Sequence, residues 1–126
     1  GLNGCRGLTV YNDYIYVTNN NANTISKISV SNPTTDFTAS WATSTQGLSL
    51  PFGIDIHDNY AYVANRGAAR VSKISVTNPT TNYVASWATS AQGLADCRGI
   101  IVFNDYVAWI LELSALQGLV AYKTVV

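Results

Sequence analysis

Apolar and polar residues alternate along most of this chain in short runs separated by turn-forming residues, which is the two-residue period of strands. GLTVY from Gly7 to Tyr11 is one run, Asn12-Asp13 a turn, and YIYVTN from Tyr14 to Asn19 the next run. NNAN (Asn20 to Asn23) turns the chain into TISKISV (Thr24 to Val30), and SNPTT (Ser31 to Thr35) turns it into DFTASWA (Asp36 to Ala42). The same order returns further on as GIDIH, YAYVAN, RVSKISV and NYVASWA. Neither copy has helical periodicity, which excludes helix-pair repeats. In YIYV, Tyr14 and Tyr16 point one way and Ile15 and Val17 the other. Both faces are apolar, so the pattern predicts a strand lying between two layers.

The repetition has a fixed period. Gly7, Gly53 and Gly99 are 46 apart, as are Tyr14, Tyr60 and Tyr106, and so are Trp41 and Trp87. Four short antiparallel strands in such a period match a propeller blade, a twisted sheet packed face to face on the next. The expected fold is therefore all-β, built of tandem four-stranded antiparallel β-propeller blades, as a partial ring or as part of an oligomeric assembly. Blade one covers 1–46, blade two 47–92, and an incomplete blade three 93–126. One blade cannot bury its own two faces, so each copy depends on a neighbour.

PFGIDIHDNYAYVANRGAARVSKIS, from Pro51 to Ser75, resembles the NHL-type propeller repeat. That repeat reads Pro-x-Gly-Ile-x-apolar, a short turn, apolar-Tyr-Val-Ala-Asn/Asp, another turn, then Val/Ile-x-Lys-apolar. The resemblance covers two full repeats and about the first half of a third, with Cys5 and Cys97 standing where the family has Pro. After Tyr106 the text drifts to VAWILELSALQGLVAYKTVV. Its second strand is expected near Val107 to Leu111 and its third near Leu119 to Val125, with a short buried helix over Leu111 to Leu119 as the alternative.

The sequence ends where a fourth strand of blade three would begin, and it contains no Met, which suggests a processed product or an excerpt. Propellers close with four to eight blades, so the expected partners are other copies of the chain or further blades of a longer one. Two copies make a six-bladed ring, whereas a contact that does not close makes a filament. Blade three would also present an unpaired strand edge. Cys5 and Cys97 are separated by a whole blade within one ring, which strains a direct bond. In a two-chain ring Cys97 would sit beside Cys5 of the other copy, giving an intermolecular disulfide. The competing expectation is two buried free thiols in place of the family's Pro.

Charge narrows the function. Seven basic and seven acidic residues cancel, and charged residues are only 11% of the chain. No basic footprint for nucleic acid is present. The run from Val107 to Ala121 holds Glu112, Ser114 and Gln117 and is too short for a membrane helix, so no membrane insertion is expected. Ser, Thr and Asn supply the polar surface, which fits an extracellular or particle-surface setting: secreted, filament or virion.

Catalytic chemistry finds little footing. His57 is the only His, and its repeat equivalents are Tyr11 and Phe103, a space-filling pattern. A metal held by His57, Asp55 and Asp58 has no counterpart in the other repeats, and the cysteines lack zinc spacing. Asn12-Asp13, Asp58-Asn59 and Asn104-Asp105 read as two-residue hairpin turns rather than calcium ligands. Lys27 and Lys73, with Lys123 as a third, are expected in solvent along a groove or paired with an acid of the next blade. The family resemblance includes lyases that use metal and His in the central funnel, and this sequence lacks those residues. No catalytic residue, metal or cofactor is assigned.

Trp41, Trp87 and Trp109 remain as ligand or blade-interface residues. Aromatics among hydroxyl residues can stack sugars between blades, and they can equally anchor blade to blade. Two functions follow: a non-enzymatic structural or interaction scaffold, and a carbohydrate-binding propeller with glycans as ligands.

Overall fold

The computed structural model describes residues 1–104, 106–110 and 119–123, with side chains described for 1–104 and 106–108. The first sheet contains β1 (Cys5–Tyr11), β2 (Tyr14–Asn19), β3 (Thr24–Ser29) and β4 (Phe37–Ala42). The second contains β5 (Pro51–His57), β6 (Tyr60–Asn65), β7 (Arg70–Ser75) and β8 (Tyr83–Ala88). The third contains β9 (Gly99–Phe103), β10 (Tyr106–Ile110) and β11 (Leu119–Lys123). Strands follow one another in chain order in every sheet, and all pairings are antiparallel. The expected helix between Leu111 and Leu119 falls almost wholly outside the described residues.

Turn chemistry sets the hairpins. Asn12 and Asp13 have φ of 47° and 61°, and Asp58 and Asn59 have 47° and 64°. Positive φ at both central residues is the turn whose twist matches two paired strands, and Asn and Asp tolerate it best. After β4 and β8 the chain makes a short 3-10 turn, at Ser44–Gln46 and Ser90–Gln92. Each is closed by a capping box: the Thr43 backbone N–H donates to Gln46 Oε1 at 2.9 Å, and Thr89 N–H to Gln92 Oε1 at 2.8 Å.

The sheets pack face to face and meet most closely at their first strands. A Cβ on Gly7 would lie 2.3 Å from the Phe52 carbonyl oxygen, and one on Gly53 would lie 2.5 Å from that of Arg98. Only glycine lets β1, β5 and β9 approach this closely, which is the physical reason for the glycine period. Between the first and second sheets lie Tyr16, Ile25, Trp41, Leu48, Ile54, Val63 and Ile74. Between the second and third lie Tyr62, Val71, Leu94, Cys97 and Val107.

Buried polar groups repeat as faithfully as the apolar ones. Asn19 Nδ2 donates to Ser26 Oγ at 2.9 Å, and Ser26 Oγ donates to the Ala39 carbonyl at 2.8 Å. In the second sheet Asn65 donates to Ser72 at 2.9 Å and Ser72 to the Ala85 carbonyl at 2.9 Å. These relays tie three strands of each sheet together and leave the buried amides satisfied. Asn65 Oδ1 also accepts from Ser49 N–H at 3.1 Å, fixing the segment that enters β5.

Candidate functional site

The predicted site residues fall in different surroundings. Trp41 is 7% exposed and meets Tyr16 edge to face, with centroids 5.0 Å apart. Trp87 meets Tyr62 in the same way at 5.1 Å. Trp109 lies in β10 opposite Ile100 of β9, and its side chain is outside the described residues. Both cysteines are free, Cys5 exposed and Cys97 buried. Burial pushes the Cys97 thiol up to about 11, and its Sγ donates to the Asn65 carbonyl at 3.6 Å.

Residues weighed for metal chemistry are engaged otherwise. Asp55 Oδ2 accepts from the Val102 backbone N–H at 2.7 Å and so joins the second sheet to the third. His57 Nε2 lies 3.2 Å from Asp58 Oδ2. Among the described residues no group of three His, Cys, Asp or Glu side chains could hold a metal ion. Lys27 sits over the Tyr14 ring at 3.9 Å and Lys73 over the Tyr60 ring at 4.2 Å, contacts that the expectation of lysines in solvent or paired with an acid did not include. An aromatic face attracts a cation while leaving its outer side hydrated, so no acid of the next blade is needed.

The feature that sequence reasoning missed is the outer face of the first sheet, the one turned away from the second. Leu8 is 64% exposed, whereas Ile54, one period later, is 6% exposed against the first sheet. Leu2 is 56% exposed, whereas Leu48 and Leu94 at the same repeat position are 2% and 1% exposed. Val10 and Phe37 are also exposed, and their equivalents Ile56 and Tyr83 pack against the core between the sheets. Cys5 follows the same rule, exposed where Pro51 and Cys97 are buried. Two cavities of about 180 and 210 Å³ lie on this face, one lined by Leu2, Ile28 and Phe37 and the other by Cys5, Leu8 and Val17. The signal was present in the offset of 46: each of these residues aligns with one that a propeller blade must bury.

The arrangement is that of an all-β, propeller-type array whose sheets do not close into a ring. No family model matches the sequence, and no curated protein matches it. Solved structures are similar in fold. The computationally designed Ika4 protein superposes with a TM-score of 0.66 at 7% identity, over 95% of this chain and 66% of that one. A catalytically inactive virginiamycin B lyase from Staphylococcus aureus with quinupristin gives 0.59 at 17% identity, over 94% of this chain and 41% of the lyase. A functionally unknown protein from Desulfotomaculum acetoxidans gives 0.60 at 19% identity, over 86% of this chain and 35% of that one. The chain thus spans less than two thirds of each of these structures, and at such identities the likeness extends to the fold alone.

Proposed function

We propose that this chain is a non-enzymatic structural and interaction module, a repeat-built β scaffold that assembles by stacking its blades on blades of other copies. The observation that carries the reading is the pair Leu8 and Ile54, two branched aliphatic side chains at one repeat position in opposite environments. Each large apolar side chain moved from water into an interface contributes about 1.5–3 kcal/mol. Leu2, Leu8, Val10 and Phe37 together supply enough for a stable contact. The partner that fits them is another blade, because a blade is what their equivalents meet within the chain.

The NHL-type resemblance supports the same reading, since its repeats act as blades stacked around an axis. A head-to-tail contact of this kind either closes a ring or continues as a filament. A neutral exterior rich in Ser, Thr and Asn suits a scaffold on a cell, filament or virion surface. Sugar binding draws less support, because the Trp41 ring is packed against Tyr16 rather than offered to a ligand. Sedimentation equilibrium tests the proposal: a mass that is a multiple of the chain supports it, and a well-folded monomer at micromolar concentration overturns it.

A further inference from the structure

Four arginines stand in this chain, and three of them converge on one ring. Positions 6, 52 and 98 are successive repeats of one place, in or directly before the first strand of each sheet, filled by Arg, Phe and Arg. The close approach at Gly7 and Gly53 brings these side chains together. The guanidinium carbons of Arg6 and Arg98 lie 5.3 and 5.5 Å from the Phe52 ring centroid. Arg66, from the turn after β6, reaches the same ring at 5.9 Å. Asp96 bridges two of the three: one carboxylate oxygen pairs with Arg66 Nε, and the other accepts from Arg98 Nη2 at 3.0 Å. The Arg66 guanidinium, with Arg98 beside it, holds the Asp96 carboxyl below the usual carboxylate range.

This bridge demonstrates that Arg66 and Arg98 can grip the oxygens of a single anion. It leaves three positive charges against one carboxylate, in a chain whose formal net charge is zero. Arg6 makes no ion pair among the described residues, and Arg98 Nε is buried with no hydrogen-bond partner. A guanidinium fork is shaped for tetrahedral and carboxylate oxygens, and the fork of Arg6 pairs with no acid among the described residues. We propose that this Arg6, Arg66 and Arg98 rim around Phe52 binds a tetrahedral oxyanion, sulfate or phosphate, free or carried as an ester. Two net positive charges match a dianion. All three arginines belong to one chain, so a monomer carries the site; Arg6 also borders the cavity of Cys5, Leu8 and Val17 on the open face of the first sheet.

Chemical-shift titration of the full chain with inorganic phosphate and with sulfate, at constant ionic strength against chloride, tests this. Saturable shifts centred on Arg6, Phe52 and Arg98 are expected. Arg6→Gln, checked for an unchanged β spectrum, weakens binding about tenfold, the size of one lost charge-assisted hydrogen bond. Arg6→Lys keeps the charge and loses the fork, and falls between. Lys73→Gln, which removes a cation held over Tyr60, leaves binding unchanged. Glucose 6-phosphate and glucose 6-sulfate, compared with glucose, distinguish the sources: tighter binding than the inorganic ion marks an ester ligand, and equal binding marks the free ion. Shifts that do not saturate, that acetate or chloride reproduces, or that Lys73→Gln reduces as much as Arg6→Gln would overturn the site.

Discussion

The first and second sheets are written in nearly the same residues, yet one is covered on both faces and the other on one. Ile54, Ile56, Leu48 and Tyr83 pack between sheets, while Leu8, Val10, Leu2 and Phe37 at the same positions face solvent. Local sequence is therefore not what makes the second sheet's face a core. A neighbour makes it one, and the first sheet carries everything needed except that neighbour. The joints also differ in their polar stitches. Thr18 Oγ1 accepts from Gly7 N–H at 2.9 Å and donates to the Phe52 carbonyl at 2.6 Å across the first joint. Asp55 reaches the Val102 N–H across the second. The apolar pattern and the polar relays within each sheet are shared, and the polar bonds between sheets are individual.

Paired substitutions probe this contrast most strongly with a charge. Ile54→Asp places an unpaired carboxylate between two sheets and is expected to cost about 3–5 kcal/mol in urea unfolding. Leu8→Asp at the same repeat position is expected to change the monomer by less than about 0.5 kcal/mol while abolishing assembly. Truncation gives the next largest difference. Leu48→Ala or Leu94→Ala should cost about 2–5 kcal/mol by opening a cavity, and Leu2→Ala should leave unfolding of the monomer unchanged. Equal costs for Leu2 and Leu48 would erase the distinction between the open and the covered face.

Features that do not depend on the neighbour should behave alike. Thr43→Ala and Thr89→Ala each remove a capping box and are each expected to cost about 1 kcal/mol by thermal unfolding. The smallest effect concerns the thiols. Ellman's reagent should modify Cys5 rapidly in the monomer, and Cys97 only as the chain opens. Because the folded Cys97 thiol is raised to about 11 from 9.0, its neutral form stabilises the fold fully below pH 9. That contribution fades as pH rises toward 11, and Cys97→Ser should remove this part of the alkaline slope.

The strands and hairpin turns were legible because alternation and Asn/Asp turns are local signals. Tyr14, Tyr16 and Tyr60 mark second strands in both text and structure. The capping boxes stand in the sequence as Thr43-x-x-Gln46 and Thr89-x-x-Gln92, but they cap 3-10 turns of three residues, too short to leave a helical period. The role of Leu2 required aligning the opening Gly-Leu with Gly47-Leu48, a correspondence the period contains but no local propensity reveals. The arginine rim was hidden for a different reason. Arg6 and Arg98 share a repeat position, but Phe52 interrupts it, and Arg66 and Asp96 arrive from other turns. Backbone contact between the first strands of the sheets brings them together.

The most direct test is sedimentation equilibrium of the native chain beside Leu8→Asp at matched micromolar concentration. The account predicts a multiple of 13.5 kDa for the native chain and a folded 13.5 kDa species for the variant. A native chain that stays folded at 13.5 kDa, with Leu2 and Leu8 facing water, contradicts it.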